Sequence, residues 1–269
     1  MDTGLAGDVV AILGAAGGIG EAIARAFAAE GCALALIDRS DRVLELAGTL
    51  RDAHAGRVLG LVVDASEYGA VQAAARAAAD ALGPCQHVVV SVGVGSGRIG
   101  MPFWSMTPAD WEPVVRVNLM SCVHAAHAFV PQLLPQRRGS LCFLSSVAGQ
   151  IGSPTDPPYS AAKAAVINFT QCAARDLAAY GIRANALCPG MVATQLNRSV
   201  WEAWRARTAE AAPVDYETWA VEKMRRVTPL GRWQTAADVA AAAVFLASRL
   251  ADNVTGQTIN VDGGQVMHA

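Results

Sequence analysis

The sequence predicts an α/β fold, a single doubly wound domain over residues 1–269, with a mostly parallel seven-stranded sheet and helices on both faces. Short apolar runs alternate about seven times with segments of helical periodicity. The runs are continuously apolar, which is typical of parallel strands buried on both faces. No linker or low-complexity stretch divides the chain, and 53% of its residues are hydrophobic, enough for one full core.

The first half of the chain contains four predicted strands, each followed by a predicted helix. Ile19, Ile23 and Phe27 recur at helical spacing after the first apolar run, and Gly31 ends that helix. The same reasoning predicts strands at residues 8–14, 33–38, 58–64 and 87–93, and helices at residues 19–31, 41–54, 68–82 and 111–134.

The second half contains three further predicted strands and one irregular insertion. Strands are predicted at residues 140–146, 183–190 and 257–264, and helices at residues 159–180 and 236–247. Between them, Gln195–Val227 shows no strand pattern and is rich in tryptophan. A long excursion after a strand is more often functional than decorative, so we expect it to form a lid over a substrate site.

Composition argues against several classes of protein. The net charge is −2, the pI is near 6.2 and no basic block occurs, so we expect no nucleic-acid partner. The first residues lack the basic region of a signal peptide, and no apolar stretch is long enough to span a bilayer. The six cysteines form no CxxC pair, and His124 and His127 have no third ligand nearby. We therefore expect a cytoplasmic protein with no metal site and no membrane contact.

A glycine-rich segment, GAAGGIG, lies between the first predicted strand and helix. A helix N-terminus offers unpaired N–H groups and a partial positive charge to a pyrophosphate, and glycine lets the phosphate approach the backbone. Gly14, Gly18, Ile19 and Gly20 are therefore candidate cofactor-binding residues of a Rossmann-type dinucleotide site. The spacing is GxxxGxG rather than GxGxxG, so the segment alone is a weak signal.

Acidic residues end the second and third predicted strands. Asp38 follows Gly20 by eighteen residues, and a carboxylate there can accept the hydroxyls of an adenosine ribose and repel a 2′-phosphate, which favours NAD over NADP. Arg39 complicates this interpretation, because an arginine there can pair with the phosphate. Asp64 and the backbone at Ala65 are candidates to contact the adenine. The alternative is that each aspartate is only a cap or turn residue.

The segment PPYSAAKAAV places Lys163 four residues after Tyr159, on one helix face. Lys163 is one of two lysines in a chain with nineteen arginines. A tyrosine with a pKa of about 10 is a poor acid or base at neutral pH, and a nearby ammonium lowers that pKa. Ser146, after the fifth predicted strand, can donate to a carbonyl oxygen that gains negative charge. The alternatives are a YxxxK pair by chance, at roughly 3% for this composition, and a serine that only caps a turn.

Together these residues resemble, in order and spacing, the motifs of the classical short-chain dehydrogenases/reductases over essentially the whole chain. Further matches are Asn118 in VRVNLMS, Pro189 and Gly190 in NALCPG, Thr194, and the ending TGQTINVDGG. The resemblance implies that Tyr159 is the general acid/base and that Ser146 orients and polarises the substrate oxygen. It also implies that Lys163 lowers the tyrosine pKa and binds the nicotinamide ribose.

The resemblance assigns further roles around that centre. It implies that Asn118 helps to hold a water that relays protons between Lys163 and solvent. The carboxamide or phosphate end of the cofactor would lie against the Val192 backbone and the Thr194 hydroxyl, beside Pro189 and Gly190. Members of the family are commonly tetramers or dimers, so we expect a homotetramer or homodimer that pairs the two long helices.

One segment departs from the family pattern. The family usually has Asn-Asn-Ala-Gly after the fourth strand, and this chain has Val90, Ser91, Val92 and Gly93. We expect Ser91 and Gly93 to remain near the cofactor, with altered local contacts. The first motif also opens with Leu13 where the family often has threonine.

The leading hypothesis is an NAD-dependent oxidoreductase that interconverts a secondary alcohol and its ketone. Phe103, Trp104 and the aromatic residues of the insertion suggest an apolar or cyclic substrate, unless these rings are ordinary core or subunit contacts. One alternative is an NADPH-linked carbonyl reductase of acyl or polyketide type, in which Arg39 binds the phosphate. Another is a nucleotide-binding sensor without turnover, because a fold alone does not fix function.

Overall fold

The computed structural model describes residues 1–54, 57–152, 155–193, 195–207 and 214–267. Its strands are β1 (Val9–Leu13), β2 (Ala33–Asp38), β3 (Val58–Val62), β4 (His87–Val90), β5 (Gly139–Leu144), β6 (Ile182–Pro189) and β7 (Thr258–Val261). Its α-helices are α1 (Gly18–Ala29), α2 (Arg42–His54), α3 (Tyr68–Leu82), α4 (Glu112–Val115), α5 (Ser121–Leu133), α6 (Pro157–Ala178), α7 (Gln195–Arg207), α8 (Tyr216–Val227) and α9 (Ala236–Ala247).

The strands form one parallel sheet in the order β3-β2-β1-β4-β5-β6-β7. The predicted doubly wound α/β fold is confirmed. The winding direction reverses between β1 and β4, because β2 lies on one side of β1 and β4 on the other. In such sheets a crevice opens at this point, outside the carboxyl ends of the strands, and ligands bind there.

The sheet is buried on both faces because its strands alternate apolar side chains between two cores. All five residues of β1 are buried, with Val10 and Ile12 in one core and Val9, Ala11 and Leu13 in the other. Helices α1 and α9 cover the first core, and α3 and α5 cover the second. Each fully buried branched side chain contributes roughly 1.5–3 kcal/mol, so the strand ends that carry polar residues are rigidly placed.

The predicted helix over residues 111–134 contains a π-helical turn. Helices α4 and α5 flank this turn, Arg116–Met120, and Asn118 lies inside it, fully buried. The Nδ2 of Asn118 donates to the carbonyl oxygen of Val114 over 2.9 Å, so its side chain takes part in the turn. Single π turns inside α-helices frequently occur at functional sites.

The insertion Gln195–Val227 is mainly helical where the structure describes it. Helices α7 and α8 occupy most of it and pack against each other. The sequence predicted an irregular segment here, and both helices were not foreseen because they are polar on average. None of the described helices combines the length and apolarity that a bilayer-spanning segment needs.

Candidate active site

The glycine-rich segment forms a tight turn from β1 into α1. Gly14 has a φ of 82°, a conformation that favours glycine, and a Cβ there would lie 2.8 Å from the backbone carbon of Ser91. A Cβ on Gly20 would overlap the carbonyl oxygen of Gly14. Helix α1 begins at Gly18, and its N-cap, Gly17, has no side chain to satisfy the first amides. The turn therefore fits a phosphate, which these N–H groups and the helix dipole can bind.

Asp38 lies at the carboxyl end of β2, beside this turn. Its Oδ2 accepts from the amide of Ala16 over 2.9 Å, and its Oδ1 accepts from the amide of Ser40 over 2.9 Å. A carboxylate has about four lone-pair sites, so Asp38 retains capacity to accept ribose hydroxyls. Arg39, next to it, is exposed. A pocket of about 140 Å³ is lined by the predicted residues Gly14, Asp38, Arg39, Asp64, Ala65, Ser91 and Gly93.

Asp64 lines the same pocket and also stabilises a turn. Its Oδ1 accepts from the amide of Ser66 over 2.8 Å. That backbone hydrogen bond holds the pKa of the Asp64 carboxyl below its usual value. The two interpretations of Asp64, as a turn residue and as a pocket residue, are therefore compatible.

A larger cleft of about 420 Å³ shares Ser91 and Gly93 with this pocket. The glycine turn forms one of its walls, and residues from β5, α6 and the end of β6 form others. The predicted residues that line it are Gly18, Ile19, Gly20, Ser91, Gly93, Ser146, Tyr159, Lys163, Pro189, Gly190 and Val192. Thr194, which was also predicted, lies outside the described residues.

Tyr159 lies in this cleft, whose wall also includes Ser146 and Lys163. Burial is the main reason that the pKa of Tyr159 is raised to about 12, and the charge of Asp156 acts in the same direction, whereas the Ser146 hydroxyl opposes it. Removal of water from around the phenolate dominates this pKa in the chain alone, and the expected lowering by Lys163 stays a prediction.

Lys163 is buried, and backbone carbonyls hold its ammonium. Its Nζ donates to the carbonyl oxygen of Leu144 over 2.8 Å and to that of Val92 over 3.3 Å. The same nitrogen lies 5.6 Å from the centre of the Tyr159 ring. Burial lowers the pKa of Lys163. Since Leu144 ends β5 and Val92 follows β4, this lysine ties α6 to the ends of both strands.

Asn118 approaches the same region from the π turn. Its Nδ2 also donates to the carbonyl oxygen of Val94 over 2.8 Å, while its buried Oδ1 has no hydrogen-bond partner among the described residues. A Cβ on Gly93 would lie 3.1 Å from that Oδ1 and 3.3 Å from the Nζ of Lys163. Gly93 therefore separates the amide oxygen from the ammonium, and a larger residue would crowd both groups.

Comparison with known proteins agrees with this arrangement. The chain matches the family described as enoyl-(acyl carrier protein) reductase over residues 14–266. It is 36% identical over 263 residues to galactitol 2-dehydrogenase (L-tagatose-forming) of Cereibacter sphaeroides, covering 97% of this chain and 95% of that protein. The chain is a classical short-chain dehydrogenase/reductase. It is therefore an oxidoreductase, of a family that acts on alcohols, ketones or 3-oxoacyl substrates with a nicotinamide cofactor.

Two further comparisons extend across nearly the whole reductase. It is 31% identical over 263 residues to a 3-oxoacyl-(acyl-carrier-protein) reductase of Thermotoga maritima, covering 98% of this chain and 99% of that protein. It superimposes with a TM-score of 0.91 on L-sorbose reductase from Gluconobacter frateurii complexed with NADPH and L-sorbose, at 27% identity and with 100% of both chains covered.

The segment of residues 90–93, which departs from the family pattern, still connects the ends of two strands. The amide of Ser91 donates to the carbonyl oxygen of Leu13 over 2.8 Å, which joins the end of β4 to the end of β1. Ser91 and Gly93 line both cavities, as expected. This segment therefore forms part of the walls of both cavities, although it lacks the amide side chains that are usual in the family.

Two further residues at the candidate site were not predicted from the sequence. Asp156 is the N-cap of α6: its Oδ1 accepts from the amide of Tyr159 over 3.3 Å, and its Oδ2 accepts from the amide of Ser96 over 2.8 Å. An aspartate directly before a proline pair is a helix-start signal that could have revealed it. Lys223, on α8, lines the larger cleft. Its only signal in the sequence is the rarity of lysine.

The aromatic residues that suggested an apolar substrate contact one another and are not among the residues that line the cleft. Phe103 and Trp104 are 62% and 74% exposed and stack edge-on at 5.3 Å, outside the residues that line the cleft. The rings of the insertion contact one another instead, with centroids 5.8 to 6.2 Å apart, in the pairs Trp201–Tyr216, Trp204–Trp219 and Tyr216–Trp219. This ring packing stabilises helices α7 and α8 against each other, and the apolar or cyclic substrate stays a prediction.

Proposed function

We propose that this protein is an NAD-dependent dehydrogenase/reductase that interconverts a secondary alcohol and its ketone, with Tyr159 as the general acid/base. The observation that supports this proposal most is that Tyr159, Ser146 and Lys163 line one cleft that the glycine turn also lines. A phenol there lies next to a donor and within the space that a dinucleotide and a small substrate would share.

The residues around the two cavities fit a nicotinamide dinucleotide. The glycine turn has no side chain where the pyrophosphate would lie, and a Cβ at position 14 or 20 would meet backbone. Asp38, Asp64 and Ala65 line the pocket on the adenosine side, and Pro189, Gly190 and Val192 line the cleft on the nicotinamide side. When bound, the cofactor supplies or accepts the hydride.

Tyr159, Ser146 and Lys163 would handle the proton and the substrate oxygen. The substrate oxygen would accept a hydrogen bond from Ser146 and exchange its proton with the phenol of Tyr159. Lys163 reaches this region with its ammonium already positioned by two carbonyl oxygens. The unpaired Oδ1 of Asn118 beside that ammonium is suited to hold a water between them, because buried polar atoms without a protein partner generally bind one.

The preference for NAD rests on Asp38. Its carboxylate lines the adenosine pocket next to the glycine turn, where it would accept ribose hydroxyls and repel a 2′-phosphate. Asp38→Asn retains an oxygen acceptor for the Ala16 amide and removes the charge. We expect this variant to lose part of its selectivity for NAD over NADP, measured as the ratio of kcat/KM values. Unchanged selectivity would contradict the role of the charge.

The second candidate is an NADPH-linked 3-oxoacyl or carbonyl reductase. Arg39 favours it, since it is exposed, lines the adenosine pocket and makes no ion pair with the described residues. Arg39→Met separates the two candidates. It should leave kcat/KM with NAD unchanged if Asp38 decides, and should reduce kcat/KM with NADP if Arg39 binds the phosphate.

The decisive test of function is an initial-rate survey with both cofactors. The substrates are sugar alcohols, cyclic and aryl secondary alcohols, hydroxy acids and a 3-oxoacyl thioester, with reduced cofactor followed by its absorbance. We expect oxidation of at least one class of secondary alcohol with NAD. Higher efficiency with NADPH on the thioester would instead support the second candidate. The homotetramer or homodimer stays a prediction, which one sedimentation run tests.

A further inference from the structure

Both lysines of this chain line the same cleft. The chain has nineteen arginines, yet its two lysines, Lys163 and Lys223, are the charged side chains among the described residues of the cleft wall, and no carboxylate is among them. Lys163 enters from α6 and Lys223 from α8, in the lid. The cleft therefore carries positive charge from two independent elements.

The two ammonium groups differ in how they are satisfied. The Nζ of Lys163 donates to two backbone carbonyls, so its hydrogen bonds lie largely within the protein. The Nζ of Lys223 lies 4.6 Å above the ring of Trp219, one helical turn earlier. Among the described parts of the chain, Lys223 has neither a hydrogen bond nor an ion pair. A ring face attracts an ammonium but accepts no conventional hydrogen bond from it.

Partial burial of the Lys223 ammonium is unfavourable as long as no anion is bound to it. Lys223 is only partly exposed, and burial lowers the pKa of its ammonium with no charged neighbour to offset the effect. A partly desolvated cation without an anionic partner is unfavourable. An anion that enters the cleft would meet donors that are already oriented by Trp219, and the charge-assisted bond would be stronger than a neutral one.

We propose that Lys223 binds an anionic group of the substrate, a carboxylate in the simplest case, so that the enzyme acts on a secondary alcohol or ketone that bears an acid. This inference rests on the proposed function, because it places the reacting carbon at Tyr159 and the acid at the lid. Met191 and Val200 line the same cleft and provide apolar contact for the carbon chain between the two ends.

The cofactor pyrophosphate is the other anion that could reach Lys223. The glycine turn and the start of α1 already offer backbone donors for that group. Lys223 belongs instead to the lid, which joins the chain after β6. These positions favour the substrate, and the experiment below distinguishes the two anions by measuring cofactor affinity separately.

The test compares hydroxy acids of three chain lengths, lactate, 3-hydroxybutyrate and 4-hydroxypentanoate, with their neutral amides. The variants are Lys223→Met, Lys223→Arg and the control Arg225→Met, which removes a positive charge from an exposed position of the same helix. For the best acid, Lys223→Met should raise KM about ten- to hundredfold with kcat nearly unchanged. The KM for the corresponding amide should be the same in Lys223→Met and in the wild type. For the acid, the KM of Lys223→Arg should lie between those of Lys223→Met and the wild type, and the KM of Arg225→Met should equal that of the wild type.

Ionic strength and cofactor binding provide two further readouts. Added salt should raise the KM of the wild type for the acid and should have little effect on Lys223→Met. The Kd for NADH, from fluorescence titration, should be the same in both. If Lys223→Met raises KM equally for the acid and for the amide, Lys223 only stabilises the lid. If Lys223→Met raises the Kd for NADH, Lys223 binds the pyrophosphate. Either result overturns the proposal.

A binding experiment without turnover distinguishes a failure of this proposal from a failure of the proposed function. The tryptophan fluorescence of the wild type and of Lys223→Met is titrated with each acid and each amide, with no turnover required. If binding of the acid depends on Lys223 but no alcohol is oxidised, the proposed function fails and the anion site stands. If the wild type binds and oxidises the amides as well as the acids, the anion site is wrong and the proposed function stands.

Discussion

The Nζ of Lys163 donates to the carbonyl oxygen of Leu144 over 2.8 Å, which joins α6 to the end of β5 beneath the candidate active site. The second acceptor is the carbonyl of Val92, 3.3 Å away. Two carbonyls on different strands suit a compact ammonium with several rotatable donors. A planar guanidinium is larger and presents its donors in a fixed fork.

This geometry predicts that Lys163→Arg is not a conservative change. The charge remains, but the larger guanidinium would crowd Gly93, where an added Cβ would lie 3.3 Å from the Lys163 Nζ. We expect kcat to fall roughly 10²-fold or more, measured at saturating alcohol and cofactor. A variant with kcat within about threefold of the wild type would show that charge alone suffices, contrary to the geometric argument.

The raised pKa of Tyr159 predicts the direction of the pH dependence. With a pKa of about 12, the phenol is protonated at neutral pH in the chain alone. Alcohol oxidation needs the phenolate as base, so kcat/KM for oxidation should rise with pH, close to tenfold per unit from about pH 7 to about pH 10. Ketone reduction needs the phenol as acid, so its kcat/KM should be flat over the same range.

The control for this profile is Tyr159→Phe. The phenyl ring fills the same space without a proton to exchange, so turnover should be abolished while the Kd for NADH stays within about threefold of the wild type. Activity that survives the substitution would exclude Tyr159 as the acid/base. A plateau of the oxidation rate already at neutral pH would show that the pKa falls when substrate and cofactor bind.

The glycine turn predicts opposite results for two glycine-to-alanine changes. In Gly20→Ala the new Cβ would overlap the carbonyl oxygen of Gly14, so the turn must shift, at a cost of about 1–3 kcal/mol in the free energy of unfolding. The affinity for NADH should fall with it. Gly48, inside α2, has no atom within 4 Å of an added Cβ. Gly48→Ala should therefore raise the free energy of unfolding by about 0.5–1 kcal/mol.

Thermal unfolding and NADH titration measure both effects on the same samples. The expected pattern is a lower Tm and a larger Kd for Gly20→Ala, and a higher Tm and an unchanged Kd for Gly48→Ala. If Gly20→Ala binds NADH as tightly as the wild type, the close approach at the turn is not required for cofactor binding.

The sequence was informative where a local pattern decides the structure. The continuous apolar runs of β1 and β4 predicted a buried parallel sheet, and the four-residue spacing of Tyr159 and Lys163 placed both on one helix. The rise in the pKa of Tyr159 was not predicted, because its direction depends on burial, which the spacing does not report. Helices α7 and α8 were not predicted because their sequences are polar on average and contain no continuous apolar run.

Long-range contacts set a further limit on what the sequence could reveal. Asp156 is separated from Ser96 by sixty residues, and only the fold brings its carboxylate to that amide. The same holds for Lys223, since only the fold brings α8 to the cleft that Tyr159 and Lys163 line. The π turn at Asn118 likewise has no marker in its sequence.

Substitutions of Asp156 should separate its effect on the position of Tyr159 from its effect on the pKa of Tyr159. It is 7% exposed, caps α6 at the amide of Tyr159, binds the amide of Ser96, and its charge raises the pKa of Tyr159. Asp156→Asn removes the charge and keeps one of the two oxygen acceptors, so the oxidation profile should shift toward lower pH with a smaller loss of kcat than in Asp156→Ala. The sign follows because loss of a nearby negative charge favours the phenolate.

Asp156→Ala removes the acceptors as well. We expect the same pH shift together with a lower kcat and a loss of about 1 kcal/mol or more in the free energy of unfolding, as for other N-cap losses. The matched control is Thr235→Ala, which removes the side chain that caps α9 through the amide of Asp238 over 3.1 Å and is not among the residues that line the cleft. It should lose similar stability with kcat and the pH profile unchanged. If Asp156→Ala behaves in the same way as this control, Asp156 is only a helix cap and does not position Tyr159.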